Sequence, residues 1–132
     1  MVVFITGKAG SGKTTVAKKL KKRLEGRGRK VLLFDADEVR KQRRNIGFEK
    51  SQRYRHIEIM SDFAAIAERQ GFVVIIAAIM PEEKMRTNGR SRVSKSCLVY
   101  VKGGTLWAGT IYQLPTEEER EGLYYEIQSI CR

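Results

Sequence analysis

Histidine is almost missing from this chain: His56 is the only one in 132 residues. That scarcity excludes a multi-histidine metal centre. Cysteine is scarce too, and Cys97 and Cys131 stand far apart without metal-ligand spacing. Neither a zinc cluster nor a disulfide framework is expected, and reduced structural thiols are the natural reading. Long apolar runs are also lacking, since none nears the roughly 18 residues of a membrane span. The opening "MVVFIT" is too short and too soon followed by glycine for a secretory signal. A cytoplasmic location with no membrane partner is therefore expected. Acidic residues are few against basic ones, 15 against 26, for a net charge of +11. Such an imbalance implies an anionic partner, nucleotide or nucleic acid among the candidates, without choosing one. Most individual Lys and Arg side chains read simply as solvated surface.

What is present is a globular composition, 42% hydrophobic and 31% charged, of a size that fits one domain over residues 1–132. The β-branched run "VVFIT" (Val2–Thr6) stops at Gly7, which predicts a buried strand entering a tight loop. "KTTVAKKLKKRLE" (Lys13–Glu25) places Val16, Ala17, Leu20 and Leu24 on one helical face. "KVLLFDAD" (Lys30–Asp37) reads as a second strand ending in carboxylates, and "EVRKQRRNIGF" as a short helix stopped at Gly47. Ser51–Gly71 predicts an amphipathic helix with Ile59, Phe63, Ile66 and Ala67 inward and Gly71 as its stop. "FVVIIAAIMP" (Phe72–Pro81) is the most apolar segment, an interior strand covered on both faces. "EEKMRTNGRSRVSKS" reads as a basic connection, "CLVYV" (Cys97–Val101) as a fourth strand and "TIYQL" (Thr110–Leu114) as an optional fifth. Pro115, Thr116 and three glutamates suit the start of a last helix. Strands alternating with helices indicate an α/β three-layer fold with a mainly parallel sheet of four or five strands.

Between the first strand and helix, Gly7-Lys8-Ala9-Gly10-Ser11-Gly12-Lys13-Thr14 matches G-x-x-x-x-G-K-[ST] at every fixed position. The glycines let successive N–H groups point into one concavity, to which a helix N-terminus adds partial positive charge. Lys13 is placed to reach the β- and γ-phosphates and the Thr14 hydroxyl to ligate Mg²⁺. With Thr15 next in line, these residues form the expected ATP site of a P-loop NTPase fold.

"FDADEVR" then sets Asp35 and Asp37 two residues apart at a strand end, where parallel α/β sheets bind ligands. One carboxylate can accept the proton of an attacking hydroxyl while the other steadies the metal and its waters. For Asp37, capping of the following helix is the other reading. Arg40 and Arg53 fall within reach of an anionic acceptor. Arg43, Arg44 and Arg55 read as solvated charges. Phe48 beside Gly47 suits either stacking on a base or a core contact.

In order and spacing, "GKAGSGKTT", "FDADEVR", "GFEKSQRYRHI" and "AAIMPEEKMR" resemble the adenylylsulfate (APS) kinase family, best over Val2–Arg86. The resemblance implies transfer of the γ-phosphate of ATP, with Mg²⁺, to the 3′-hydroxyl of adenosine 5′-phosphosulfate, giving PAPS. It implies Asp37 as the catalytic carboxylate with Asp35 its partner and Lys13 at the phosphates. Arg40 and Arg53 would then hold the phosphosulfate, Phe48 would stack on adenine and Ile79 would line the acceptor pocket. The pattern is not matched throughout. Ala36 replaces a glycine, Gln52 an aspartate, His56 an acceptor-contacting asparagine and Met80 the serine of I-S-P. Where the family carries a long basic lid, only "KGGTLWAGTIYQLP" follows the fourth strand. Arg86, Arg90, Arg92 and Lys95 are the nearby cations that could stand in for it. Trp107 in that short loop either packs on adenine or covers the sheet edge.

Two other function classes stay open on sequence. One is a P-loop kinase for another phosphorylated acceptor or a nucleic-acid 5′ end, supported by the charge and by "KKLKKRLEGRGRK". The other is a non-catalytic nucleotide-binding module, opposed by the intact Lys13, Thr14, Asp35 and Asp37. A homodimer is left open as well.

Overall fold

Val2 and Phe4 face one way along the first strand, Val3 and Ile5 the other, and each pair anchors its own core. The structure is a computed structural model that describes residues 1–43, 46–106 and 111–128. Its elements run β1 (Val2–Thr6), α1 (Lys13–Gly26), β2 (Val31–Asp35), α2 (Ala36–Gln42), α3 (Lys50–Arg69) and β3 (Val73–Ala77). They continue with α4 (Glu83–Ser91), β4 (Ser96–Val101), α5 (Glu117–Arg120) and β5 (Tyr124–Ile127). The five strands pair in parallel in the order β2-β3-β1-β4-β5, with Val2 opposite Val74 on one side and Ser96 on the other. One core joins Phe4, Val74, Ile76 and Leu98 to Ile57, Met60 and Ala64 of α3 and Met85 of α4. The other joins Ile5, Ile75, Val99 and Val101 to Ala17 of α1, with Val16, Leu20 and Leu24 at its margin. This is the predicted three-layer parallel α/β fold. Because every strand points the same way, the loops after β1, β2, β3 and β4 leave one edge of the sheet.

Several elements differ from the sequence reading. The second strand stops at Asp35, whose side chain caps α2 by accepting from the Asp37 N–H at 3.0 Å. The cap expected of Asp37 therefore falls to Asp35. Helix α4 occupies what reads as a mere connection; it is short, polar and glycine-containing, so its three buried residues leave little periodic signal. On α3 the inward face carries His56, Ile57, Met60, Ser61 and Ala64, while Phe63 and Ile66 are exposed. Helix α4 packs close on this face at Gly89. A Cβ on Gly89 would lie 3.0 Å from Ile57 Cγ2 and 3.1 Å from Ser61 Oγ. The fifth strand is Tyr124–Ile127, not Thr110–Leu114, of which residues 111–114 are not strand. The last helix is the single turn α5, with Thr116 and Glu119 forming a reciprocal capping box. Trp107, Thr110, Arg44 and Cys131 lie outside the described residues. Cys97 is a buried free thiol. Among the described residues, no helix is long and apolar enough to cross a membrane.

Candidate active site

The loop from Gly7 to Gly12 turns through two left-handed glycines, Gly10 (φ 74°) and Gly12 (φ 101°), before α1 begins. Only glycine adopts these angles without strain. The helix starts with no side-chain cap and no acidic residue in its first turn, leaving its first N–H groups available to an anion. Ser11 is fully buried and its Oγ has no hydrogen-bond partner. The hydroxyl sits against Gly7, where an added Cβ would lie 2.8 Å from it, so it helps to keep that position a glycine. Lys13 Nζ donates to the Lys8 carbonyl at 2.8 Å, folded back over the loop. Burial pushes its pKa below the ordinary lysine value, against the opposing pull of Asp37 and Asp35. Thr14 Oγ1 donates to Asp35 Oδ2 at 2.7 Å, so the hydroxyl and carboxylate suited to a magnesium ion are already side by side. Among the described residues no cluster of three or more His, Cys, Asp or Glu could hold a metal by itself. An ion held by one hydroxyl, waters and nucleotide phosphates needs no such cluster.

Gly10, Gly12, Lys13, Thr14, Asp35 and Asp37 line a cavity of 380 Å³ over the P-loop. A second cavity of 570 Å³ opens beside it, with Arg40, Phe48, Arg53, His56 and Ile79 in its wall. Ala36, Asp37 and Ile79 line both. Every acceptor-site residue expected from sequence is thus brought to one cavity, and Asp37 stands where the two cavities meet. Arg40 lies 4.4 Å over the Phe48 ring and donates to the Gly47 carbonyl at 2.9 Å. Its pKa is lowered mainly by burial and further by the neighbouring Arg43 and Arg53, with Asp37 opposing. Phe48 is 73% exposed, so the core-contact reading fails and a ring face is free.

Some of the site was not visible in the sequence. Arg43, read as a solvated charge, reaches His56 Nδ1 with its Nη1 at 3.0 Å. Thr6 Oγ1 donates to the Ile79 carbonyl at 2.6 Å and lies 2.6 Å from the Tyr112 hydroxyl, fixing the wall from behind. Met80 holds φ 46° while buried, a strained angle for a side-chain-bearing residue. The three arginines of the basic stretch are engaged elsewhere. Arg86 is buried against Glu119, Arg90 bonds Ser96 and Arg92 pairs with Glu58 and Asp62. Instead, Lys102–Leu106 runs beside the P-loop, where the Thr105 N–H donates to the Ala9 carbonyl at 2.9 Å.

A parallel sheet with a phosphate-type loop after its central strand β1 and a carboxylate pair after the edge strand β2 defines an α/β P-loop kinase fold. A profile of the adenylylsulphate kinase family matches residues 1–128. The chain belongs to that family, as the order of its motifs implied. It is 36% identical over 100 residues to the probable adenylyl-sulfate kinase of Archaeoglobus fulgidus, covering 75% of this chain and 64% of that one. With the probable adenylyl-sulfate kinase of Pyrococcus abyssi it shares 37% over 100 residues, 75% of this chain and 58% of the relative. The matches thus span less than two thirds of these relatives' length. Among solved structures, the Mycobacterium tuberculosis APS kinase CysC in complex with AMPPNP and APS superposes with a TM-score of 0.83. At 18% identity, covering 99% of this chain and 89% of that one, it speaks to the fold alone. A hexameric APS kinase from Thiobacillus denitrificans gives a TM-score of 0.74 at 28% identity, over 93% of this chain and 24% of that one.

Proposed function

We propose that the protein is an ATP-dependent kinase that transfers the γ-phosphate to the 3′-hydroxyl of adenosine 5′-phosphosulfate, forming PAPS and ADP in the cytoplasm. The observation that carries this reading is Asp37, among the described residues the one ionisable side chain lining both the P-loop cavity and the arginine-bearing cavity. A base at that junction can meet an acceptor hydroxyl and a donor phosphate together. The proton of the 3′-hydroxyl passes to an Asp37 carboxylate oxygen as its oxygen bonds to the γ-phosphorus. The bond from that phosphorus to the β,γ-bridging oxygen breaks, and ADP leaves with the electron pair.

In the same reading, the loop N–H groups, Ser11 and Lys13 hold the donor phosphates, with Lys13 swinging from the Lys8 carbonyl onto the β- and γ-oxygens. Thr14 would ligate Mg²⁺ and Asp35 would orient its waters; the ion would neutralise charge on the transferring group. Arg40 and Arg53 would bind the phosphosulfate, and the exposed face of Phe48 would stack on adenine. An acceptor bearing a base and two adjacent anionic groups matches that wall in charge and shape.

The test is transfer of labelled γ-phosphate from Mg-ATP to APS, with Asp37→Asn as control. Labelled PAPS from the wild type is expected, with kcat lower by about 10²–10⁴-fold in the variant. ATP binding without transfer to APS would overturn this acceptor and direct the assay to nucleic-acid 5′ ends.

A further inference from the structure

The peptide unit joining Ala36 to Asp37 is held at both of its polar ends. Its carbonyl oxygen lies 3.0 Å from His56 Nε2, and its N–H donates to Asp35 Oδ1 at 3.0 Å. A carbonyl oxygen can only accept, so Nε2 carries the ring proton. Nδ1 is then an acceptor, and it faces a group that can only donate, Arg43 Nη1, at 3.0 Å. The two neighbours together select one neutral tautomer, and both ring nitrogens are committed within the protein. Only carbon atoms of the ring remain to meet an occupant of the second cavity, which His56 lines. The ring has little freedom to do otherwise, being 1% exposed.

We propose that His56 is a positioning residue and not an acceptor contact. It clamps the Ala36–Asp37 peptide against Asp35, and so aims the Asp37 carboxylate, while Arg43 selects the tautomer that makes this bond. The assignment rests on Asp37 as the base of the proposed transfer. Asp35 ties the same peptide to Thr14 through its other oxygen, at 2.7 Å. One hydrogen-bonded chain therefore runs from Arg43 through His56, the Ala36–Asp37 peptide and Asp35 to the P-loop helix. Releasing its middle lets the peptide rotate, and a misplacement of about 1 Å at a reacting group costs on the order of 10²-fold in rate.

His56 is the sole histidine, so a long-range ¹H–¹⁵N spectrum of the intact chain shows a single imidazole. An Nε2–H tautomer with unprotonated Nδ1 near neutral pH is expected; an Nδ1–H or rapidly averaging ring overturns the clamp. Two variants separate the ring's bonds. His56→Gln ends in an amide nitrogen at about the reach of Nε2 and keeps the donor to Ala36, whereas His56→Asn is too short. Protection of the Asp37 amide from hydrogen exchange should persist in His56→Gln and fall about tenfold in His56→Asn. Turnover of APS should follow the same split, with kcat down about tenfold or more in His56→Asn at nearly unchanged KM for APS. A raised KM with kcat intact is the signature of a lost acceptor contact and overturns the proposal. If the wild type turns over no APS, the acceptor assignment fails, and the tautomer and amide exchange still decide the clamp.

Discussion

Single side chains in this site are held by their neighbours in definite protonation states, and His56 is the clearest. Burial lowers its pKa most, and the charges of Arg40 and Arg43 lower it further; the Ala36 carbonyl and Asp37 act in the opposite sense. The folded chain therefore refuses a proton that the unfolded chain takes up at about pH 6.5. The His56 contribution to stability is expected to be constant above that value and to fall as the pH drops from about 6.5 through the lower folded pKa. The shifted carboxylates Glu58, Glu68 and Glu126 lie below the ordinary value of 4.5, so they act later in acidification. Urea midpoints between pH 8 and 5 would show this, and in His56→Gln the slope in that window should vanish. Lys13 makes a second residue-scale case. Its ammonium gives up water on burial and is held by the Lys8 carbonyl until a better acceptor arrives. Removing it in Lys13→Ala should weaken ATP binding by about 10–100-fold, the worth of one charge-assisted bond, measurable by titration calorimetry.

At the scale of elements, the contact between Lys102–Leu106 and the P-loop depends on a glycine. Gly104 sits at φ 77°, and a Cβ there would collide with the Ala9 carbonyl oxygen and lie 2.8 Å from the Ser11 N–H. Gly28 has a similar angle, φ 82°, with open space around it. Gly28→Ala should cost about 1 kcal/mol from backbone strain alone. Gly104→Ala should cost more and also weaken nucleotide binding, because the loop cannot yield without moving Ala9 and Ser11. Urea denaturation and nucleotide titration of both variants would separate the effects. The same contrast explains what the sequence could tell. Strands β1, β3 and β4 and helix α1 have runs or periods set by the two-sided core, so their places were legible. The P-loop was legible because its glycines and Lys13 follow from phosphate geometry. Helix α3 was found, but its face was misread: Ile59, Phe63 and Ile66 look like a core stripe, whereas Ile57 and Ser61 pack on Gly89 and Met60 and Ala64 join the core. Contacts between residues distant in sequence, such as Arg43 with His56 or Thr105 with Ala9, leave no local pattern at all.

Across the whole molecule, one buried ion pair ties the chain's last described elements to the cavity wall. Arg86 of α4 is fully buried and bonds both carboxylate oxygens of Glu119, at 2.8 and 2.9 Å, while its third contact is the Met80 carbonyl at 2.9 Å. Tyr112 lies beside it, 5.3 Å from its guanidinium, stacked on Tyr100 and bonded to Thr6. The Gln113 N–H reaches the Pro81 carbonyl at 2.7 Å. Segment 112–119 thus braces the strained turn at Met80, through Arg86 and Pro81. Breaking the pair from one side leaves a buried charge without its partner. Arg86→Met or Glu119→Gln should therefore each destabilise the fold, the arginine change by about 3–5 kcal/mol. Replacing both, Arg86→Met with Glu119→Met, should recover much of that loss, since two buried charges and their desolvation vanish together. The Met80 carbonyl keeps only the long 3.5 Å bond from Thr6 Oγ1 in the double variant, so recovery should be incomplete. The functional readout distinguishes a brace from a mere staple. If the pair positions the turn, the double variant should fold yet show a raised KM for the acceptor with the ATP affinity of the wild type, because Met80 and Pro81 line only the second cavity. Equal losses at both substrates would mean that the pair holds the sheet as a whole and not its acceptor edge.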